Sequence, residues 1–149
     1  MDRITRQHRS WNMSRIRSCD TKPEQLVRSI VHQLGFRFRK DSGKRLFGKP
    51  DIVLPRYTTV IFVHGCFWHR HAGCQLAYTP KSRISFWCAK FCANCARDEI
   101  VSQQLKKQGW KIVVIWECET EKIPRLKARL QKKLQRRRES VTKPIELRR

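Results

Sequence analysis

Cys66, His71 and Cys74 share one short loop, with four residues between the first pair and two between the second. Thiolates and an imidazole at that spacing suit zinc, and a tetrahedral zinc site needs one more such ligand. Cys118 is the candidate. It follows an apolar run at 112–116, much as Cys66 follows the run at 59–63. If those runs are neighbouring strands, both cysteines leave the sheet at the same edge. Three thiolates and one imidazole close the shell, so zinc here would be structural, with no position left for an activated water. The plain alternative is a pair of buried thiols beside a surface histidine.

A closed zinc shell leaves Asp51, His64 and His69 for other work. Asp51 ends Gly48-Lys49-Pro50-Asp51, just before an apolar strand-like tripeptide, and a second strand follows a short turn. An acid at the start of such a hairpin can hold Mg²⁺, a hard cation that binds oxygen and polarises a scissile phosphate. In many metal-dependent nucleases the next strand supplies Glu-x-Lys. Here that place reads Phe62-Val63-His64. The acid is missing, but the Val63 carbonyl is an oxygen and can serve the cation. Either His64 or His69 can take a proton from water near neutral pH. Glu24 is a candidate for a carboxylate that meets the cation through a water; it is equally explained as a helix cap. His64 could also be an ordinary core histidine.

The elements that must position these groups follow from pattern. Thr21-Lys22-Pro23-Glu24 has the spacing of a capping box with proline in the first turn. A helix should run from there to about residue 34, ending at Gly35. Residues 36–39 alternate as a strand does. Strands are expected at 51–54, 59–63 and 111–116; the second, nearly all apolar, should be covered on both faces. The stretch 84–108 lacks Gly and Pro and reads as a long helix stopped by Gly109. Pro124 opens a last basic helix to about residue 138. Cys88, Cys92 and Cys95 share one face of the long helix with no histidine near, so core packing is expected for them over ligation. Trp110 and Trp116 flank a strand and are expected in the core.

This order is that of an α/β domain, a mixed β-sheet flanked by helices. The chain of 149 residues is long enough to bury one core and short for two domains. Residues 1–20 form a basic arm, 21–138 the domain, and 139–149 a basic tail; Trp11, Met13 and Ile16 suggest a short structured segment within the arm. There are 34 Lys and Arg against 12 Asp and Glu, a net charge of +22. A surface that basic needs an anionic partner, with nucleic acid first and an acidic membrane surface second. No run approaches the roughly 20 apolar residues of a spanning helix, and no signal-type apolar core lies near the start. Seven cysteines, an odd number, argue against a disulfide framework and for metal ligation in a reducing compartment.

Several blocks together carry a resemblance. Gly48-Lys49-Pro50-Asp51, Val60-Ile61-Phe62-Val63-His64-Gly65-Cys66-Phe67-Trp68-His69, Phe86-Trp87 and Trp116-Glu117-Cys118 resemble the very short patch repair endonucleases, as do Ser10 to Ile16 and Asn94 to Asp98. The likeness covers roughly residues 9–120 in order. It implies a restriction-endonuclease-like fold and a DNA mismatch endonuclease that nicks 5′ of the thymine in T:G mismatches left by deamination of 5-methylcytosine. By position, Asp51 and Val63 would hold Mg²⁺, His64 and His69 would be the catalytic histidines, and Glu24 would act near the metal. Cys66, His71, Cys74 and Cys118 match the family's zinc ligands, and Phe67, Trp68 and Trp87 its intercalating aromatics. A zinc-stiffened loop is what a wedge into stacked bases requires, and unstacking costs least at a mispair. The implied setting is a monomer on double-stranded DNA in the bacterial cytoplasm, with mismatch-repair proteins as further partners. Two other classes remain open: a zinc-stabilised nucleic-acid-binding module without catalysis, and a nuclease of the same fold without mismatch specificity.

Overall fold

Strand β2, Thr59–His64, organises the molecule. It pairs antiparallel with β1, Ile52–Leu54, and parallel with β3, Lys111–Trp116, giving a sheet of order β1-β2-β3. The computed structural model describes residues 4–16, 18–40 and 46–135. The tail expected at 139–149, and the last helix beyond residue 135, lie outside the described residues. A tight hairpin turn suffices between β1 and β2. The parallel pair needs a long crossover, and a 24-residue helix, Ile84–Lys107, supplies it.

Side chains alternate across the sheet. Ile52, Leu54, Ile61, Val113 and Ile115 face the helices Lys22–Gln33 and Ile123–Gln135, meeting Val27, Ile30, Val31, Leu126, Leu130 and Leu134. Val53, Val60 and Phe62 face the crossover helix at Val101 and Leu105. With Arg6–Ser14 as α1, these helices are α2 (Lys22–Gln33), α3 (Ile84–Lys107) and α4 (Ile123–Gln135). The three layers explain why β2 lacks a polar face. Leu126, Leu130 and Leu134 recur every fourth residue and are sealed; burying each stabilises by about 1.5–3 kcal/mol.

Helix stops fall at the expected glycines. After α2, Gly35 N–H donates to His32 and Phe36 N–H to Val31; after α3, Gly109 donates to Lys106 and Trp110 to Leu105. Both are Schellman closures, which satisfy the last carbonyls. At the start of α2, Thr21 Oγ1 accepts from the Glu24 N–H at 3.4 Å. The Glu24 carboxylate does not return to Thr21, as a full capping box would have it. Its Oε2 takes the Asp20 N–H at 2.8 Å and an Arg28 nitrogen at 3.1 Å.

Three expectations need correction. Residues 36–39 form no strand; Arg39 and Val53 exchange two hydrogen bonds of 2.8 Å as an isolated bridge. The next hydrogen-bonded pair in one direction would use Pro55, which has no N–H to give. Phe36 is buried instead, edge-on to Tyr57. Cys88, Cys92 and Cys95 are all exposed. α3 buries Phe91, Val101 and Leu105, and at 3.6 residues per turn the cysteines lie roughly 100° round from that stripe. Trp110 is half-buried and packs against the Val53, Val60 and Phe62 side of the core, as expected, whereas Trp116 is half-buried and outside both core clusters. The arm does contain the structured segment read around Trp11: α1 is capped by Thr5, whose Oγ1 accepts from His8, and Arg15 sits over the Trp11 ring at 4.3 Å. Among the described residues no helix is long and apolar enough to cross a membrane.

Candidate active site and metal centre

The parallel register sets His64 opposite Trp116 at the last position of β2 and β3. The chain therefore leaves both strands at one edge, and Cys66 and Cys118 follow two residues later on each. Cys66, His71, Cys74 and Cys118 bring one ligand atom each to within 4.8 Å of all the others. His71 Nδ1 lies 3.6 Å from Cys66 Sγ and 3.4 Å from Cys118 Sγ. In a tetrahedron with sulfur at about 2.3 Å and nitrogen at about 2.0–2.1 Å, adjacent ligands stand about 3.5 Å apart. The four side chains fit that shape and could hold a metal ion.

Local structure explains the fit. The loop winds back on itself, with His71 N–H donating to Cys66 and Cys74 N–H to His71. The His71 ring stacks on Trp116 at 4.3 Å, nearly parallel, and Glu117 Oε2 accepts the Cys66 N–H at 3.3 Å. Burial pushes the Cys66 thiol up to about 12 and raises Cys118, while a hydrogen bond from the Leu76 backbone lowers Cys74. A cation among them reverses the balance by taking the thiolates as ligands.

The second group gathers at the end of β2 in a cleft of about 1020 Å³ lined by Glu24, Asp51, Val63, His64, His69 and Asp98, with Phe67 and Trp68 at its wall. Asp51 is fixed by the β1–β2 pairing: its N–H donates to Ile61, and its Oδ2 accepts the Val63 N–H at 2.7 Å. Burial pushes its carboxyl up to about 6, the Val63 amide opposes this, and the Glu24 charge adds to the rise. A carboxylate disfavoured by burial and by a like charge is one that a cation relieves. The histidine rings of 64 and 69 stack at 3.9 Å with 7° between planes. Burial first, and the neighbouring His69 second, hold His64 down to about 4, so it is neutral near pH 7.

Asp98 of α3 is the residue that sequence reading left without a role. Its Oδ2 lies 2.6 Å from His69 Nδ1. An ionised carboxylate only accepts, so this nitrogen carries the proton and Nε2 keeps the free lone pair. His64, His69 and Asp98 also lie close enough together to suggest a metal set. The stacking argues against one, since ring lone pairs lie in the ring planes and parallel rings do not aim them at a common point. Acidic character on the buried side of α3, four residues after Asn94, was the signal available for Asp98.

Phe67 is less a free tip than a hub. Trp68, Tyr78, Trp87 and Phe91 surround it with ring centroids 5.1 to 5.5 Å away. Trp68 is half-buried, with Lys90 over its face at 5.1 Å and its carbonyl held by Asn94 Nδ2 at 3.3 Å. Trp87 packs on both and is absent from the cleft lining. Arg70, also unremarked in the sequence, braces the loop: it bonds the Tyr78 carbonyl and Thr79 Oγ1, each at 3.0 Å, and lies over Phe91 at 4.2 Å.

The family model of the DNA mismatch endonuclease Vsr matches residues 1–75. The chain is similar to the type II nicking enzyme V.XorIIP of Xanthomonas oryzae pv. oryzae, 46% identical over 129 residues, which are 87% of this chain and 93% of that one. To V.NmeAIP, a type II nicking enzyme of Neisseria meningitidis, it is 49% identical over 118 residues, 79% of this chain and 83% of the other. To the DNA mismatch endonuclease Vsr of Escherichia coli it is 40% identical over 110 residues, 74% and 69% of the two chains.

Proposed function

Since the chain belongs to the family of the DNA mismatch endonuclease Vsr, it is a DNA endonuclease, and we propose that it nicks 5′ of the thymine in T:G mismatches by Mg²⁺-dependent hydrolysis. The observation that carries this reading is the convergence of Asp51, His64 and the His69–Asp98 pair in one cleft walled by Phe67 and Trp68.

His69 is the general base. Asp98 fixes its tautomer and compensates the positive ring formed when Nε2 takes a proton from the attacking water. His64 stays neutral, holds the flat face of His69, and can give its one N–H to a phosphate oxygen. Asp51 and the Val63 carbonyl would hold Mg²⁺, with Glu24 meeting it through an intervening water. When bound, that ion supplies charge stabilisation at the transition state and leaving oxygen. Cys66, His71, Cys74 and Cys118 would hold zinc, a closed shell that supplies folding free energy, roughly 10–16 kcal/mol in small zinc modules, and no chemistry. The layered mixed sheet with its acid at the start of the hairpin supports a restriction-endonuclease-like core at 21–138, and residues 1–20 serve as a DNA-binding arm. Trp68 is the wedge, with Phe67 and Trp87 behind it, at a step where a mispair lowers the cost of unstacking.

End-labelled duplexes carrying T:G, T:A, C:G and other mispairs, incubated with Mg²⁺ or with EDTA, test the reading. Nicking confined to T:G and requiring Mg²⁺ is expected. Because two of the relatives are named type II nicking enzymes, a sequence-directed nick of fully paired DNA is the second reading, and equal cutting of T:G and paired duplexes would favour it. Salt-sensitive binding with no cleavage of any duplex would leave a binding module.

A further inference from the structure

Cys92 and Cys95 belong neither to the zinc set nor to the proton chemistry, yet they stand on the turn of α3 that holds the active-site loop. Three contacts tie that turn to residues 68 and 69. Asn94 Nδ2 donates to the Trp68 carbonyl at 3.3 Å. Cys95 Sγ lies 3.9 Å from the His69 carbonyl oxygen. Asp98 Oδ2 lies 2.6 Å from His69 Nδ1. Both cysteines are exposed, and Cys95 lines the cleft. Three positions apart on a helix, they are surface neighbours with Cβ atoms about 5–6 Å apart.

We propose that Cys92 and Cys95 are a covalent modification site for low-molecular-weight disulfides, and that bridging them releases His69 from its support. The effect on nicking rests on the nuclease reading above; the bridging does not. The Cys95 thiol, losing its proton, attacks one sulfur of the small disulfide. That S–S bond breaks, a mixed disulfide forms, and the first small thiol leaves carrying the proton. Cys92 then attacks the Cys95 sulfur, expels the second small thiol and gives up its own proton to it. Two cysteine thiols are oxidised to one disulfide, and one small disulfide is reduced to two thiols.

A disulfide wants Cβ atoms about 3.5–4.5 Å apart, closer than the roughly 5–6 Å an intact helix allows. The 92–95 turn must therefore distort, and the contacts from Asn94, Cys95 and Asp98 move with it. Strain of this kind also makes the bridge easy to reduce, so the change reverses.

The test uses full-length, zinc-loaded protein treated with glutathione disulfide, then divided among peptide mapping, zinc analysis and nicking of a T:G duplex with and without dithiothreitol. A peptide linking Cys92 to Cys95, retained zinc, and a loss of nicking on the order of 100-fold, reversed by dithiothreitol, are expected. For Cys95→Ser the ratio of oxidised to reduced rate should stay near unity, and for Cys88→Ser it should fall as in the parent. A bridge between other cysteines, zinc lost together with activity, or a Cys92–Cys95 bridge that leaves nicking unchanged overturns the proposal. Reduced protein that nicks no duplex counts against the nuclease reading instead. The His69 ring signals in NMR then decide this one: a shift on bridging upholds it, and unmoved signals overturn it.

Discussion

Asp98 reaches across 29 positions of sequence to place its Oδ2 2.6 Å from Nδ1 of His69. A helix side chain and a loop side chain thus form one unit, and the loop histidine owes its orientation to α3. Removing the carboxylate leaves the ring free to rotate and its positive form uncompensated. Asp98→Ala should lower kcat on the order of 10–100-fold with KM little changed. Asp98→Asn, which can still accept from Nδ1 but carries no charge, should lose less. Steady-state nicking of a T:G duplex reads both, and an unchanged kcat in the alanine variant would remove His69–Asp98 from the mechanism.

The Asp51 carboxylate accepts a hydrogen bond from the Val63 N–H and lines the cleft. Its substitution should separate binding from chemistry. Asp51→Ala is expected to shift a T:G duplex in a gel as the parent does and to leave no measurable nick in Mg²⁺. Nicking that survives the substitution would refute the role given to this carboxylate.

Cys118 is the one member of the sulfur cluster that comes from a distant element, at the end of β3. With serine there, the remaining three ligands sit on a single loop and no longer tie it to the sheet. Cys118→Ser should release zinc and lower Tm, read by metal analysis and thermal unfolding of the same sample. Zinc that stays at the parental stoichiometry would exclude Cys118 as the fourth ligand.

Much of this arrangement was legible in the sequence because it is carried by local pattern. The uninterrupted apolar run of β2, the Gly35 and Gly109 stops, and the equivalent positions of Cys66 and Cys118 after parallel strands all follow from residue type and order. What escaped reading depends on geometry that order alone does not contain. The alternation at 36–39 looked like a strand, but its partner β1 ends at Leu54 with Pro55 next, so the ladder stops after a single bridge. The cysteine stripe on α3 looked like core, yet which face of a long helix is buried is set by where Phe91, Val101 and Leu105 meet the sheet. Asp98 had only a weak local signature, an acid on the buried side of α3, and nothing nearby in sequence pointed to His69, 29 positions away on another element.

Gly48 connects the two halves of the cleft through packing. A Cβ there would stand 2.3 Å from Val101 Cγ1 of α3, and the backbone is at φ +82°. Gly48→Ala must therefore push α3 away or shift the segment that carries Asp51. Left-handed strain of about 1–2 kcal/mol and overpacking of about 1–3 kcal/mol both oppose it. Tm should fall by several degrees and nicking should fall with it. A variant as stable as the parent would mean that α3 yields freely at Val101.

The aromatic loop makes a prediction that distinguishes wedge from core. Phe67 touches four other rings, so Phe67→Ala removes the centre of a cluster; for a half-buried ring this should cost about 1–3 kcal/mol of stability. Trp68 has fewer ring partners and lies at the cleft wall. Trp68→Ala should change Tm little and weaken action on the mispair. Stacking of one base on an aromatic is worth about 1–3 kcal/mol, so kcat/KM for T:G should fall roughly 5- to 150-fold. Any cutting of paired DNA should change less, because a base that stays stacked never meets the ring. Equal losses on T:G and paired duplexes would make Trp68 a general DNA contact and assign mismatch selection elsewhere in the chain.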